Sequence, residues 1–339
     1  TELYMNFVKK RDMIDLDKIR NFLSNNPTTI AIDHMHGATR GKLAKILSLK
    51  PGTFICLRRE DDPLFGGLSP EPSEENLKLA LSHLRENTLG FAAIIDPDGD
   101  RVRFADLKRQ IPMNYFGAMV FYYLYNLKGL RGIVAKSVGT SNFVNRLAES
   151  CGVEVIETKV GFKNFRPYLL SDATKKAIVA FEESDGITIQ NHTLEKDALL
   201  GVLLALEMMA HFGKNLSEYL EEIESFYGKY YSDRTGIEIP RESFGPHIKE
   251  NVMELAKHFK SGDSFKIGSL RKNIVSINDI DGVKMIFDDL SWIMIRPSGT
   301  EPKIRIYIET KNEEEKEALM EGAKNLAKRL CLEGIRCLI

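Results

Sequence analysis

The sequence predicts an α/β protein with two tandem α/β/α domains followed by a smaller α+β domain that contains an antiparallel sheet. Apolar strands alternate with helices over the first third of the chain, and a second unit with the same layout follows. From about Asp233 the strands become short and are separated by polar turns. Alternating strands and helices indicate a mainly parallel sheet, whereas short strands with tight turns indicate antiparallel pairing.

The first predicted domain covers residues 1–110. Its expected elements alternate between strand and helix: strands at 28–33, 52–58 and 90–96, with helices at 42–49 and 73–87. Ser73 stands three residues before Asn76, with acidic residues in the first turn, which indicates a capped helix start. This order predicts parallel strands.

The second predicted domain covers residues 111–225 and the third covers 226–339. In the second, Gly152 and Gly213 are expected to end two helices. The expected elements of the second are helices at 110–127, 141–152 and 195–213, and strands at 132–138, 153–160 and 176–184. In the third domain we expect strands at 235–240, 269–279, 282–289, 291–298 and 303–310, and a charged helix at 311–330.

The composition excludes several classes of partner. The 339 residues carry a formal net charge of −1, so the chain as a whole does not attract nucleic acid or an anionic membrane. The apolar stretches are shorter than the ~20 residues of a membrane span. The four cysteines are scattered without metal-ligand spacing, and no signal peptide is visible. We therefore expect a cytoplasmic protein with reduced thiols and no nucleic-acid or membrane partner.

Three loops contain side chains that could bind a metal ion, a sugar or a phosphate. The first, here called the Asp96 loop, comprises residues 96–101. Asp96, Asp98 and Asp100 alternate along the chain after an apolar strand, so their carboxylates can converge. Converging carboxylates favour a hard cation such as Mg²⁺ or Ca²⁺. An EF-hand is excluded, because its sixth and twelfth positions hold Arg101 and Leu107 here. Arg101 suits a phosphate beside the metal; the alternative is a polar turn with solvated aspartates.

The second is the Glu182 loop, residues 182–186, which we expect between a strand and a helix. Carboxylates beside a hydroxyl accept hydrogen bonds from adjacent sugar hydroxyls, and Glu182, Glu183 and Ser184 offer this combination. A helix N-terminus with acidic residues explains the same pattern equally well.

The third is the Arg296 loop, residues 296–301, between two apolar strands. An arginine, two hydroxyls and a glycine backbone suit a bound phosphate, here Arg296, Ser298, Gly299 and Thr300. A plain hairpin turn is the alternative. Metal, sugar and phosphate recognition together predict a phosphorylated sugar as the ligand.

These motifs, in this order, resemble those of the α-D-phosphohexomutases, the phosphoglucomutase and phosphomannomutase family. "DPDGDR" resembles the family's metal loop, "FEESDG" its sugar loop and "RPSGTEPKIRIY" its phosphate loop. Weaker similarities occur at 33–38, 69–77, 136–141 and 160–165. The resemblance covers nearly the whole chain and corresponds to the family's domains II, III and IV.

The resemblance implies interconversion of hexose 1-phosphate and hexose 6-phosphate, through a phosphoserine and a sugar 1,6-bisphosphate. The hexose is glucose or mannose, with neutral sugars weakly favoured over glucosamine. The implied roles are Mg²⁺ binding by Asp96, Asp98 and Asp100; catalysis by Arg101 and Lys136; sugar binding by Glu182, Ser184 and Lys163; and binding of the non-reacting phosphate by Arg296, Ser298, Gly299 and Thr300.

One departure from the family pattern limits this expectation. The family's serine loop resembles TASHNP and lies in its first domain, and no stretch of this sequence matches it. The first residue is Thr1 rather than methionine, so we expect a fragment that lacks the N-terminal serine domain, a domain that is then also a potential partner. Such a chain is expected to be inactive alone. The alternative is a non-catalytic protein that binds sugar phosphates.

Overall fold

In the computed structural model, which describes residues 2–50, 52–241, 245–299 and 301–333, the chain divides into two units. Unit 1 contains residues 1–157 and 161–227, and unit 2 contains residues 158–160 and 228–339. The first two predicted domains thus fall within unit 1, apart from residues 158–160. The third coincides with most of unit 2.

Over residues 28–95 and 113–182 strands and helices alternate, as the sequence predicts. Within the described residues the helices are α1 (Glu2–Arg11), α2 (Leu16–Asn25), α3 (Lys42–Ile46), α4 (Glu74–Leu81), α5 (Met113–Asn126), α6 (Phe143–Ser150), α7 (Arg166–Leu169), α8 (Ala198–Phe212), α9 (Leu216–Tyr227), α10 (Pro246–His258) and α11 (Lys316–Glu333). The strands are β1 (Thr28–Asp33), β2 (Ile55–Leu57), β3 (Leu89–Ile95), β4 (Val102–Ala105), β5 (Gln110–Ile111), β6 (Ile133–Ser137), β7 (Val155–Thr158), β8 (Ala177–Glu182), β9 (Gly186–Ile189), β10 (Tyr231–Glu238), β11 (Ser264–Ile267), β12 (Leu270–Asn278), β13 (Val283–Phe287), β14 (Trp292–Pro297) and β15 (Lys303–Thr310).

Unit 1 contains two sheets that mix parallel and antiparallel strands. The first has the order β2-β1-β3-β4-β5, with β1 parallel to β2 and β3, and β4 antiparallel to both of its neighbours. The second has the order β7-β6-β8-β9, with β6 parallel to β8 and β8 antiparallel to β9. Strands β3 and β8 are almost entirely buried, as expected for strands covered on both faces. The α/β prediction is therefore confirmed.

The antiparallel strands correct one prediction about the Glu182 loop. The sequence predicted a helix directly after this loop, but the chain instead turns back into β9, and α8 begins only at Ala198. Strand β4 follows the Asp96 loop in the same way. Both loops are therefore tight turns between hydrogen-bonded strands, which restricts how far their side chains move.

The helix ends agree in part with the sequence signals. Ser73 caps α4 by accepting the Asn76 N–H at 3.1 Å, as predicted. The Asn76 side chain does not complete a capping box, because it donates to the carbonyls of Ser69 and Glu71. Gly213 ends α8 with φ +63°. In the part of the chain that is described, α8 and α9 have the length and apolar character of a membrane span only as a pair, bent by 75°, and no single helix does.

Unit 2 contains a six-stranded sheet in the order β10-β15-β14-β13-β12-β11, in which each strand is antiparallel to its neighbours. Helices α10 and α11 contribute apolar side chains to the same core as the sheet. Ile248 on α10 and Ile293 on β14 are both buried there. The predicted α+β domain is confirmed, and its hairpin between β14 and β15 carries the Arg296 loop.

Candidate functional site

The Asp96 loop brings three carboxylates together in unit 1. Oxygen atoms of Asp96, Asp98 and Asp100 lie within 4.8 Å of one another. Asp96 is fully buried at the end of β3, Asp98 is exposed and Asp100 is half-buried. The turn has room for this convergence because Gly99 adopts φ +84°.

Asp96 is the electrostatic centre of this loop. Its Oδ1 accepts the backbone N–H groups of Asp100 and Arg101, both at 3.0 Å, and its Oδ2 accepts Arg101 Nε at 2.6 Å. Burial nevertheless raises the pKa of Asp96 to about 6, because the hydrogen bonds only partly offset the loss of hydration. Arg101 also lies beside Glu71, with 3.6 Å between Nη1 and Oε1.

The chemistry of this donor set fits a divalent cation. Three carboxylates supply hard oxygen ligands, which Mg²⁺ prefers. A buried carboxylate whose charged form is disfavoured gains from a nearby positive charge. Asp96, Asp98 and Asp100 are therefore the residues of this loop that could hold Mg²⁺.

The Glu182 loop joins β8 to β9 and buries its two glutamates. Glu182 accepts the Gly161 N–H at 2.6 Å, and Glu183 accepts the Ser137 hydroxyl at 2.8 Å. Ser184 is half-buried, and Asp185 makes the turn at φ +74°. Burial, with Glu183 as the next cause, raises the pKa of Glu182 to about 7. At neutral pH this carboxyl group can therefore either donate or accept a hydrogen bond.

The structure joins the Asp96 loop to the Glu182 loop. Arg101 forms a β-bridge with Gly186, and the Val102 N–H donates to the Asp185 carbonyl at 2.9 Å. The Arg103 guanidinium pairs with the Asp185 carboxylate at 2.8 Å. No sequence pattern indicated this contact, because the two loops are far apart along the chain.

Lys196 connects the same two loops, and sequence reasoning did not single it out. Its Nζ lies 2.8 Å from Asp100 Oδ2, and its charge also acts on Glu182. Its Nζ lies 5.7 Å from the centre of the Phe162 ring. The one usable signal was its place just before Asp197, which caps α8 by accepting the Leu200 N–H.

Lys136 and Lys163 differ sharply in environment. The Lys136 ammonium is fully buried and donates to the carbonyls of Thr140 and Ser141 and to Asn142 Oδ1, at 2.8–3.0 Å. This environment suits a lysine that holds the loop after β6. Lys163 is exposed in a 3₁₀ turn, Phe162–Phe165, that follows Gly161 and so lies near Glu182.

The Arg296 loop belongs to unit 2 and borders a cavity of about 390 Å³. Arg296 Nε pairs with Asp281 Oδ2 at 2.7 Å, so a bound anion would compete with that carboxylate. Ser298 N–H donates to the Lys303 carbonyl at 2.8 Å. Arg296, Ser298 and Gly299 line this cavity, whereas Thr300 lies outside the described residues.

Lys249 on α10 also lines the cavity of the Arg296 loop. Sequence reasoning missed it, because α10 was not predicted. A lysine facing the same space as Arg296 adds a second positive charge, which favours an anionic ligand.

Three family models match successive parts of the chain. The model described as phosphoglucomutase/phosphomannomutase, alpha/beta/alpha domain II, matches residues 2–109, and that for domain III matches residues 112–226. The model for the C-terminal domain of the same family matches residues 246–325.

Curated relatives have the same family names. The chain is 29% identical to a phosphoglucomutase/phosphomannomutase of Thermococcus kodakarensis, over 96% of this chain and 65% of the relative. It is 28% identical to phosphoglucomutase 1 of Drosophila melanogaster, over 91% of this chain and 60% of the relative. The chain thus spans less than two thirds of the length of these relatives.

Solved structures share the fold. A candidate phosphomannomutase from Thermus thermophilus superposes with a TM-score of 0.76 at 27% identity, covering 96% of this chain and 65% of that one. An N-acetylphosphoglucosamine mutase from Aspergillus fumigatus, solved with GlcNAc-6P and magnesium, gives a TM-score of 0.61 at 14% identity, covering 97% and 69%.

Proposed function

Because this chain belongs to the phosphoglucomutase/phosphomannomutase family, we propose that it carries the metal, sugar and phosphate loops of a phosphohexomutase. The substrates are hexose 1-phosphate and hexose 6-phosphate, with glucose or mannose as the hexose. The observation that carries the proposal is the direct junction of the Asp96 loop and the Glu182 loop through Arg101, Gly186 and Lys196. A cation site and a sugar site joined in this way suit a ligand that is both phosphorylated and hydroxylated.

In this proposal Asp96, Asp98 and Asp100 hold Mg²⁺, which supplies charge neutralisation for phosphoryl transfer when it is bound. Arg101 neutralises phosphate oxygens beside the metal, which requires it to exchange part of its contact with Asp96 for the ligand. The predicted contribution of Lys136 to catalysis is in this proposal an indirect one, because its buried hydrogen bonds set the shape of the neighbouring loop.

Glu182 and Ser184 bind sugar hydroxyl groups in this proposal. A carboxyl group with a pKa near 7 exchanges hydrogen bonds with hydroxyls in either protonation state. Lys163, exposed beside the same loop, contacts the ligand from solvent. Arg296, Ser298 and Gly299, with Thr300, bind the phosphate that is not transferred, and Lys249 adds charge to that cavity.

We further propose that these 339 residues do not complete turnover alone. Phosphohexomutases use a phosphoserine in a TASHNP-like loop, and the sequence contains no matching stretch. The same observation favours a second candidate, a protein that binds sugar phosphates without catalysis. Intact mass and N-terminal peptide sequencing of the native polypeptide separate the two. A serine loop ahead of Thr1 supports the enzyme, and a native start at Thr1 supports the binding protein.

Calorimetric titration with glucose 6-phosphate in the presence of Mg²⁺ tests the binding site. We expect saturable binding, with affinity lowered at least ~5-fold by Ser184→Ala and ~10-fold by Arg296→Met, because a neutral and a charged hydrogen bond are lost, respectively. Lys175→Met is the matched control. Lys175 also carries a positive charge and pairs with Glu154, but it precedes the first residue of β8, whereas the Glu182 loop follows from its last residue.

Each outcome of this titration has a clear meaning. No saturable binding by the unmodified chain would show the proposed function to be wrong. Binding that Ser184→Ala and Arg296→Met alter no more than Lys175→Met does would place the ligand elsewhere.

A further inference from the structure

We propose that residues 33–39, here called the buttress loop, position the Asp96 loop so that its three carboxylates converge on a cation. This inference rests on the proposed function, because it takes the Asp96 loop to be a metal site. The buttress loop connects β1 to the turn before α3 and supplies none of the three carboxylates.

The two loops touch through their backbones. The Ala38 N–H donates to the Pro97 carbonyl at 2.7 Å. A Cβ atom added to Gly37 would lie 2.4 Å from Pro97 Cα and 2.5 Å from its carbonyl oxygen. Gly37 has an ordinary backbone conformation, so glycine is required there by space alone. This contact fixes the residue that stands between Asp96 and Asp98.

A second contact holds the other side of the Asp96 loop. The Thr39 methyl group lies 2.7 Å from the place where a Cβ on Gly99 would stand. The Thr39 hydroxyl is 2.9 Å from His34 Nδ1, and both side chains are buried. Thr39 therefore couples the turn at Gly99 to the interior of the buttress loop.

The buttress loop is itself anchored at its start. The buried Asp33 carboxylate accepts the Met35 N–H at 3.0 Å and Arg58 Nε at 2.8 Å. Arg58 Nη2 also donates to the Asn76 carbonyl at 3.2 Å. The loop is thus tied both to the chain after β2 and to α4.

The buttress loop retains features that cost stability. Met35 and His36 adopt φ +45° and +58°, in the left-handed region that non-glycine residues avoid. His34 Nε2 is buried and has no hydrogen-bond partner within the described part of the chain. Strain and unsatisfied groups persist where a precise shape is functional, and supporting the Asp96 loop explains them here.

Binding of Mn²⁺, a probe for Mg²⁺, tests the proposal by the loss of the free-ion signal in electron paramagnetic resonance. The unmodified chain should bind Mn²⁺ more tightly than Asp98→Asn. Gly37→Ala should weaken binding at least ~10-fold, because changes in groups that support metal ligands typically cost about 10- to 100-fold. Urea unfolding of each variant shows whether it is folded under the titration conditions.

A threonine pair separates positioning from general destabilisation. Thr39→Val keeps the shape but removes the contact with His34, and should weaken Mn²⁺ binding roughly 3- to 10-fold. Thr29→Val removes a comparable contact, 3.0 Å to Thr88, at the opposite end of β1, and should leave Mn²⁺ affinity unchanged. If Gly37→Ala does not fold, this pair decides.

The outcomes distinguish this inference from the proposed function. If the unmodified chain binds Mn²⁺ no more tightly than Asp98→Asn does, both this inference and the proposed function are wrong. If Gly37→Ala and Thr39→Val bind Mn²⁺ as tightly as the unmodified chain does, only the proposed role of the buttress loop is wrong. Equal weakening of Mn²⁺ binding by Thr39→Val and Thr29→Val would also show that role to be wrong. The loss of affinity would then come from lower stability and not from a misplaced Asp96 loop.

Discussion

Glu182 contains a carboxyl group that burial has moved out of its ordinary titration range. Its pKa in the folded chain is about 7, above the ordinary value of 4.5. Between these two pH values the folded chain therefore keeps a proton that the unfolded chain has released. The folded state therefore loses stability as pH rises from about 4.5 to above 7. The difference amounts to on the order of 3 kcal/mol.

Glu182→Gln should remove this dependence on pH. A neutral amide still accepts the Gly161 N–H, so the variant should match the unmodified chain near pH 4.5. At about pH 8 it should be more stable by on the order of 3 kcal/mol. Urea unfolding followed by circular dichroism at both pH values measures this. Equal stability of the two proteins at the higher pH would mean that Glu182 titrates normally.

A partly buried hydrogen bond attaches helix α1 to the start of α8. The Tyr4 hydroxyl donates to Asp197 Oδ2 at 2.7 Å, and His192 Nε2 lies 2.8 Å from the same oxygen. Asp197 is the cap of α8 and is the residue after Lys196. The contact therefore stabilises the chain on which Lys196 reaches Asp100.

Tyr4→Phe should lower the free energy of unfolding by about 1.5–3 kcal/mol, the usual range for a hydrogen bond to a charged group. Leu3→Ala is the control on the same helix, because Leu3 is 88% exposed, and should change it by less than ~0.5 kcal/mol. Thermal unfolding of both variants measures the difference. A Tyr4→Phe chain as stable as Leu3→Ala would show that α1 is held by its apolar contacts instead.

Gly322 in α11 tests the packing of unit 2. Glycine to alanine in an exposed helix stabilises by roughly 0.5–1 kcal/mol. Here a Cβ atom would lie 2.5 Å from Ile267 Cγ2 and 2.9 Å from the Ile267 carbonyl carbon. Gly322→Ala should therefore destabilise by about 1–3 kcal/mol. Trp292, the single tryptophan, reports unfolding of unit 2 by fluorescence. Stabilisation would contradict this packing.

Sequence patterns predicted the strands better than the helices around them. Strands β1 and β15 have the predicted bounds, because their apolar runs are bordered by polar turns. Eleven of the fifteen strands in the described part of the chain were predicted, and β4, β5, β9 and β11 were missed. Among the eleven helices described there, α1, α2, α7, α9 and α10 were missed, and α4 ends at Leu81, six residues earlier than expected. A helical pattern in the sequence does not by itself determine the last residue of the helix. Contacts with distant residues decide where the helix ends.

At the scale of the whole molecule, the sequence identified the three loops but not the junction between the Asp96 loop and the Glu182 loop. The convergence of Asp96, Asp98 and Asp100 was predicted from alternation along an extended chain, but in the structure a turn at Gly99 brings the three carboxylates together. Lys196 and Lys249 could not be predicted as site residues, because each reaches its loop through tertiary structure. The motif at 33–38 was visible, but its contact with Pro97 was not.

Binding of a hexose phosphate without turnover can be observed directly by ³¹P NMR of glucose 1-phosphate with this chain, Mg²⁺ and a trace of glucose 1,6-bisphosphate. We expect the glucose 1-phosphate resonance to broaden through binding, while no glucose 6-phosphate resonance grows. A resonance that stays sharp would contradict the proposed site. A growing glucose 6-phosphate resonance would contradict the need for a serine loop beyond these 339 residues.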